Sequence, residues 1–426
     1  MIPQTLSQLK ISIKDNYLQL TLISIFAGFA LAPLYRHIYA LLAIAGLYLI
    51  ITQFKDIRQN PQVRQFTILF LCIWIPMLAS LADAEFFNRS FSTTMRFLAY
   101  LLAAIAIITF ARKQASQKLL LACYFILLFL SLDGLLQWVT GTNIVGHPPY
   151  RDQRVVGMFY PEPALSLFLA TFSVLFFEAV RQLQAKYKFA WLSIIPLVMV
   201  IILGASRSAW MLFALSIGIY CLYFLRCQTQ IQWKKIAIRG ITIAVISIVA
   251  ALQSDYIQQR ADLASGLFSG DYEQMNTATS ARLPLWKTAV AMTESHWING
   301  VGPRAFTLSY DQHSDKDNYW HGIHIGQPHL YLLEISSETG LIGLFGYACF
   351  LVLLLRMLWK QSKSGFHRAI PWGMAAFVAS FPLNSTIPLF GYFGAQMLWF
   401  PLTLFVILSD IKTPNSGAIA KDQEKE

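Results

Sequence analysis

Apolar residues run along most of the chain in stretches that short polar segments separate. Each stretch is roughly 17 to 22 residues long, the length that spans the hydrocarbon core of a bilayer as an α-helix. Backbone polar groups in lipid must be paired within the segment, so the pattern predicts an all-α polytopic membrane protein with about 12 transmembrane helices. The predicted spans are 18–35, 37–54, 66–83, 92–111, 118–139, 163–180, 189–205, 208–225, 236–252, 340–358, 368–384 and 390–409.

One long polar interruption separates the ninth predicted span from the tenth, at residues 253–339. Within it, apolar side chains recur at helical spacing over residues 281–295, which predicts an amphipathic helix. Residues 299–320 are rich in Gly, Pro, Asp, Ser and aromatic residues and predict an irregular loop, for which a mobile lid is one interpretation. Pro328 then opens a helical run that ends or kinks at Gly340.

The chain therefore divides into four predicted parts. Nine transmembrane helices come first, followed by a loop that carries the chemistry, three more transmembrane helices and a tail. The bounds of these parts are 1–252, 253–339, 340–410 and 411–426.

Charge sets the predicted orientation. The composition is 56% hydrophobic and 13% charged, with a net charge of +11. If the N-terminus is cytoplasmic, Lys and Arg concentrate in the short cytoplasmic loops, as the positive-inside rule requires. This topology accounts for most of the positive charge without nucleic acid as a partner. It places both termini and the 411–426 tail in the cytoplasm and the 253–339 loop on the opposite side.

The basic residues on the predicted outer side are mostly arginines, whereas lysines dominate on the cytoplasmic side. Guanidinium groups bind phosphate in a bidentate fork, so the excess indicates a phosphorylated ligand on the outer side, with chance as the alternative. The outer arginines are Arg36, Arg89, Arg96, Arg151, Arg154, Arg207, Arg260, Arg282 and Arg304.

Three residues are candidates for chemistry. Arg207 lies at the outer end of a span and either snorkels or holds an anion. Arg282 opens the amphipathic helix, as either a solvated charge or a second anion contact. His329 is predicted in the first turn of its helix, where the positive end of the helix dipole keeps the imidazole neutral and able to act as a base. The alternative for His329 is a polar residue that caps a loop.

Other histidines and acids of the loop allow further interpretations. Glu334 and Glu338 lie one turn apart on the His329 helix, where they orient a sugar, pair with arginine or are exposed helix acids. A metal site is not predicted, because no common closed zinc pattern matches the spacing of His313, His321, His324 and His329.

Several short motifs follow one another in a fixed order. Upstream of the sixth span stands Arg154-x2-Gly157-x-Phe159-Tyr-Pro161. The later motifs are Ser206-Arg207-Ser208, Arg282-x3-Trp286, Gly300-Val-Gly302-Pro303-x2-Phe306 and Pro328-His329-x2-Leu-Leu-x4-Glu338-Thr-Gly-Leu-Ile-Gly343. With this order and topology, the chain resembles the O-antigen ligase and polymerase superfamily.

The resemblance implies a glycosyltransferase of the GT-C type that uses no metal, nucleotide or other cofactor. The implied donor is a glycan on undecaprenyl diphosphate, and the acceptor in the ligase branch is the lipid A core oligosaccharide, at the periplasmic face of the bacterial inner membrane. Matched by position, His329 is the general base, and Arg207 and Arg282 hold the donor diphosphate. The residues expected as secondary contacts to donor or acceptor are Arg154, Arg304 and Glu338.

Three alternatives stay open. An O-antigen polymerase shares this size and topology, and a protein O-oligosaccharyltransferase is typically longer. The chain departs from many relatives at Gln327-Pro-His329-Leu and at Tyr160-Pro-Glu-Pro163, which leaves the base in place but affects the acceptor. A transporter of lipid-linked glycans would need ionisable groups near the membrane midplane, for which Asp133 is the main candidate.

Overall fold

The computed structural model describes residues 19–28, 34–110, 116–151, 154–228, 232–363, 365 and 367–409. Over these residues the chain is helical, and the pairing of Tyr150 with Arg154 is the sole β-bridge there. The predicted all-α architecture is confirmed for this part of the chain, and the predicted 411–426 tail lies outside it. The helices, numbered in chain order, are α1 (Gln19–Gly28), α2 (Leu34–Gln59), α3 (Pro61–Ala79), α4 (Phe87–Phe110), α5 (Ser116–Thr140), α6 (Leu165–Leu183), α7 (Ile194–Leu203), α8 (Arg207–Cys227), α9 (Trp233–Leu252), α10 (Asp255–Ser265), α11 (Tyr272–Ala278), α12 (Leu283–Ser295), α13 (Phe306–His313), α14 (Tyr331–Ser362), α15 (Ile370–Ala379) and α16 (Tyr392–Leu408).

Among the described residues, seven helices are long and apolar enough to cross a membrane, so the chain is a polytopic membrane protein. These candidate spans are His37–Gln59, Pro61–Asp83, Phe87–Phe110, Lys118–Thr140, Leu165–Leu183, Arg207–Cys227 and Tyr331–Ser362.

The remaining predicted spans fall on α1, α7, α9, α15 and α16. Four of these are apolar helices of 10–17 residues, the α7 segment being extended to Ala190. The ten residues of α15 cover only about half of a bilayer core that is about 30 Å thick. The fifth, α9, has 20 residues with basic side chains in its first two turns. Helix length and apolar composition together therefore support seven of the predicted spans within the described residues.

The centre of the bundle is formed by α6, α15 and α16, in which nearly every residue is buried. Trp372 of α15 and Trp399 of α16 are among the largest fully buried side chains. A helix that is apolar on all sides needs apolar contact on all sides, which the surrounding helices provide. The α2 span, by contrast, is only 22% buried and presents its apolar side chains outward.

Helices α10 to α13 lie in the predicted outer loop, between α9 and α14. The predicted amphipathic helix is α12, which begins at Leu283 with Arg282 as its N-cap. The prediction of an irregular segment at 299–320 needs correction, because α13 forms there and packs on α12. The apolar cluster that joins them contains Leu285, Ala289, Met292, Val301, Ala305, Phe306, Tyr310 and Ile325.

Helix α14 bends at Gly340, where φ is 62°. Around the bend, backbone hydrogen bonds of 2.8 to 3.1 Å join residues 297–302 to residues 337–342. A Cβ at Gly300 or at Gly340 would overlap the backbone of the opposite segment. The Gly-Val-Gly-Pro and Glu-Thr-Gly motifs therefore form one joint that fixes the outer loop to α14, and glycine is required where the two backbones meet.

Candidate active site

Ser385, in the connection between α15 and α16, contacts all three predicted site elements. Its carbonyl oxygen lies 3.1 Å from Nδ1 of His329. Its hydroxyl accepts a hydrogen bond of 3.1 Å from Nη1 of Arg282. Its backbone N–H donates to Oγ of Ser208 at 3.4 Å, next to Arg207 at the start of α8.

His329 lies just before α14 rather than in its first turn, which corrects the sequence prediction. The helix begins at Tyr331 with Leu330 as N-cap, so Pro328 is also outside it. His329 has a φ of 55°, in the left-handed region that few residues other than glycine adopt.

Hydrogen bonds to the two residues before His329 hold this conformation. The side-chain amide of Gln327 donates to the carbonyl of Thr386 at 2.8 Å. The indole N–H of Trp286 donates to the carbonyl of Pro328 at 3.1 Å. Backbone conformations of this kind persist only where the surroundings fix them, and they are frequent at functional sites.

The surroundings of His329 keep its ring neutral. Burial of the ring lowers its pKa, the nearby Arg282 guanidinium lowers it further, and the hydrogen bond with Ser385 acts in the opposite direction, which leaves the pKa at about 4. A carbonyl only accepts, so the Ser385 contact is a hydrogen bond when Nδ1 carries the proton. Nδ1 also lies 3.1 Å from the side-chain nitrogen of Gln327, which donates to Nδ1 only in the tautomer whose Nδ1 carries no proton. In the tautomer that donates from Nδ1 to the Ser385 carbonyl, Nε2 has the free lone pair that a general base needs. The neutral ring follows from burial and from Arg282, not from a place in the first helical turn.

Arg282 and Trp286 of the Arg-x3-Trp motif lie one turn apart at the start of α12. This spacing puts both side chains on one side of the helix. Arg282 reaches Ser385 and Trp286 reaches Pro328, so both residues of the motif contact the segments around His329. A freely solvated charge does not fit Arg282, because its side chain is half-buried and hydrogen-bonded.

Arg207 begins α8 and crosses to the turn between α11 and α12. Its guanidinium donates to the carbonyl of Ala278 and, at 2.9 Å, to Oγ of Ser280. The turn is tight, since Ser280 and Ala281 have φ values of 63° and 58°. Arg282 follows directly, so the two predicted arginines are attached to the same turn.

Glu334 is a buried acid, 1% exposed, rather than an exposed one. Its carboxylate accepts hydrogen bonds from the backbone N–H groups of Leu389 and Phe390 at 2.9 and 3.1 Å. It therefore anchors the turn that carries Ser385, and neither a sugar nor an arginine is needed to explain its place.

Glu338 is 0% exposed and holds the glycine joint. It accepts a hydrogen bond of 2.6 Å from the backbone N–H of Arg304, and Nη1 of Arg304 donates to the carbonyl of Gly326 at 3.0 Å. These contacts tie the joint to the segment before His329. That Arg304 and Glu338 also touch donor or acceptor stays a prediction.

Arg154 lies in the loop before α6, which is predicted to be on the outer side. Its backbone exchanges two hydrogen bonds with Tyr150, at 2.9 and 3.1 Å. The side-chain carbonyl of Gln137 on α5 accepts from the N–H groups of Val156 and Gly157, which fixes the loop to the bundle. A substrate contact by Arg154 stays a prediction.

The four histidines considered for a metal do not converge on one site. His313 lies 2.7 Å from Glu85, whereas Nδ1 of His321 lies 2.9 Å from Oγ of Ser314. His329 lies beside Ser385, and His324 is exposed.

Ser385 belongs to none of the predicted motifs and is a residue that sequence reasoning misses. The polar run Asn384-Ser385-Thr386 between two apolar spans is the signal that marks a turn there. Only the fold shows that this turn meets His329 and Arg282.

An apolar groove of about 650 Å³ lies between α6, α7, α8 and α9. Its lining is almost wholly apolar and includes Phe213, which is about 9 Å along α8 from Arg207. Arg181 and Arg239 also line the groove, but the surface that it exposes is almost wholly apolar and suits a hydrocarbon chain.

The fold and the site define a polytopic helical membrane protein in which His329 and Arg282 meet at the Ser385 turn, while Arg207 contacts the turn just before Arg282. Residues 192–348 match the family described as O-antigen ligase, so this segment of the chain is an O-antigen ligase family domain. The matched segment contains Arg207, Arg282 and His329 and ends before Ser385, and the resemblance read from the motifs is confirmed over it. No match to a curated protein was found.

Proposed function

We propose that this protein is an O-antigen ligase, which transfers a glycan from undecaprenyl diphosphate to the lipid A core oligosaccharide at the periplasmic face of the inner membrane. The O-antigen ligase family domain supports glycan transfer in the membrane. The observation that carries the finer proposal is the contact of Ser385 with both His329 and Arg282, because it holds a neutral base next to a cation that can bind diphosphate.

His329 is the general base of this reaction. A sugar hydroxyl is a poor nucleophile, and Nε2 removes its proton as the oxygen attacks the anomeric carbon, a contribution of about 10²- to 10⁴-fold. A pKa of about 4 in the free protein would make a weak base. An anionic diphosphate bound at Arg282 offsets the positive charge that lowers this pKa, so donor binding itself strengthens the base.

Arg207 and Arg282 bind the diphosphate. As the new glycosidic bond forms, the bond from the anomeric carbon to the diphosphate oxygen breaks, and undecaprenyl diphosphate leaves with the electron pair. The two guanidinium groups stabilise the charge that develops on it. Both groups now donate to neutral protein oxygens, which orient them and can give way to phosphate oxygens. Direct displacement inverts the anomeric configuration, and an activated donor needs no metal, nucleotide or other cofactor.

The proposal fits the predicted topology with about 12 spans. In that topology α1, α7, α9, α15 and α16 complete the membrane bundle, and the outer helices and the Ser385 turn lie in the periplasm. The apolar groove beside α8 would then receive part of the polyprenyl chain, below the arginine that holds its diphosphate.

Reconstitution with defined substrates tests the function. The purified protein in detergent receives a glycan on undecaprenyl diphosphate together with lipid A core, with and without chelator, and products are separated by gel and mass spectrometry. We expect core that carries the glycan, plus free undecaprenyl diphosphate, in both conditions. A longer lipid-linked glycan with bare core would identify a polymerase instead, and transfer to a protein acceptor would identify an O-oligosaccharyltransferase. Flux across vesicles without a covalent product would identify a transporter.

A further inference from the structure

A second group of chemically active side chains lies apart from the Ser385 turn. Nε2 of His313 is 2.7 Å from Oε1 of Glu85, and Nδ1 of His296 is 3.8 Å from the same oxygen. One potential ligand atom from each of the three residues lies within 4.8 Å of the others. We propose that Glu85, His296 and His313 bind a divalent metal ion of the zinc class, which fastens the outer helices to the membrane bundle.

Three separate segments supply the donor atoms. Glu85 lies in the turn between α3 and α4, His296 is the C-cap of α12 and His313 is the last residue of α13. The backbone N–H of Glu85 donates to the carbonyl of Val301 at 3.1 Å, which sets the bundle against the loop at this point. The site is therefore held by the fold before any ion binds.

The donor distances fit a small cation. Zinc binds imidazole nitrogen and carboxylate oxygen at about 2.0 to 2.2 Å, which puts tetrahedral ligand atoms about 3.3 Å apart. The nitrogen-to-oxygen distances of 2.7 and 3.8 Å lie on either side of that value, so small side-chain movements suffice. Two imidazoles and one carboxylate favour zinc over magnesium or calcium, and a water molecule would complete the four ligands.

The polar groups around the cluster support a cation rather than a simple histidine–carboxylate pair. Oε2 of Glu85 is buried and has no hydrogen-bond partner among the described residues, so a negative oxygen is left for an ion to neutralise. Oγ of Ser295 lies 3.5 Å from Nδ1 of His313 and 3.1 Å from Nδ1 of His296, and the second contact would have to give way when the ion binds. A hydrogen bond donated by that Nδ1 would fix the tautomer in which Nε2 faces Glu85 with its lone pair free, as metal-bound histidines require.

The ion would act on the position of the loop rather than on the reaction. The chain between His296 and His313 includes the first segment of the glycine joint, residues 297–302, and Arg304, which contacts the segment before His329. An ion would clamp both ends of that stretch to the α3–α4 turn. This inference is independent of the proposed transfer reaction.

Zinc binding by the full-length protein tests the site. The protein is purified in detergent through a tag without histidines, stripped with chelator, and titrated with zinc against a chromogenic competitor. We expect one zinc per chain, with binding weakened by about 100-fold or more in Glu85→Gln and in His313→Gln. His324→Gln, at an exposed histidine of the same loop, serves as the matched control and should bind as the wild type does.

Two further measurements keep the test decisive if a variant is unstable. X-ray absorption of the wild-type zinc complex should show only nitrogen and oxygen ligands, although the chain has five cysteines. Added zinc should raise the melting temperature of the wild type and of His324→Gln but not that of His313→Gln. No bound zinc in the wild type, sulfur coordination, or equal binding by all variants would overturn the proposal.

Discussion

Two side-chain clusters contain histidine, one at His329 and one at His296 and His313, and they differ in the charge of the residues next to the rings. His329 has the Arg282 guanidinium and a backbone carbonyl beside it. His296 and His313 share the carboxylate of Glu85. The same side chain is thus placed next to a cation in one cluster and next to an anion in the other.

The contrast shows how surroundings assign a role to histidine. A neighbouring arginine disfavours the protonated ring, so His329 keeps a lone pair available for a substrate hydroxyl. A neighbouring carboxylate suits a positive ion held between the two groups. The first arrangement fits acid–base chemistry with an anionic substrate, and the second fits a cation that holds the structure together.

Replacement of His329 should have the largest effect on transfer. We expect His329→Gln to reduce the transfer rate by about 10²- to 10⁴-fold, because a glutamine amide cannot take the hydroxyl proton. The measurement is product formation with saturating donor and acceptor. His321→Gln, whose ring lies beside Ser314, is the matched control and should stay near the wild-type rate. Wild-type turnover by His329→Gln would remove His329 as the base and erase the contrast between the clusters.

The arginines should come next in effect. Lysine keeps the charge but not the guanidinium fork, so Arg207→Lys and Arg282→Lys should each lower kcat/KM by about 10- to 100-fold through weaker diphosphate binding. Arg226→Lys, at the opposite end of α8 from Arg207, is the control and should be nearly neutral. Near-normal activity in both of the first two variants would show that the arginines only position the loop.

Ser385 should have a smaller effect. Ser385→Ala removes the hydroxyl that accepts from Arg282 but keeps the carbonyl near His329. Loss of one such hydrogen bond predicts a decrease in kcat/KM of about two- to tenfold, with recovery in Ser385→Thr. Steady-state kinetics of both variants test this. A decrease as large as that of His329→Gln would mean that the hydroxyl takes part in the reaction itself.

Much of the fold follows from the chain's own pattern, because helix position depends on local runs of apolar residues. The bend at Gly340 and the buried face of α12 are predicted in this way. The short length of the central helices α15 and α16 is not predicted in this way. Burial on all sides stabilises these two helices, and the sequence does not show that burial. The 299–320 loop contains a helix because its apolar residues find partners on α12.

Only part of the candidate site can be predicted from the sequence, because its key contacts join residues that are far apart in sequence. His329 and Ser385 are separated by 56 positions, and nothing local to either residue marks the pair. The left-handed backbone of His329 is stabilised by neighbours such as Thr386 and Trp286, so Pro328 did not begin the helix as predicted. A carboxylate in an apolar run does not reveal its partners, which is why the burial of Glu334 is not predictable.

The protonation of His329 tests the central claim most directly. Neutral imidazole reacts with diethyl pyrocarbonate and imidazolium does not, so the labelling rate of His329, read by peptide mass spectrometry, reports its pKa without any substrate. With a pKa of about 4, the rate should change by less than about twofold from pH 7.5 to pH 5.5, while free N-acetylhistidine, with its ordinary pKa near 6.5, slows by about tenfold. Removal of the nearby positive charge in Arg282→Gln should raise the pKa of His329. A His329 rate that falls in parallel with N-acetylhistidine, unchanged by Arg282→Gln, would contradict the account.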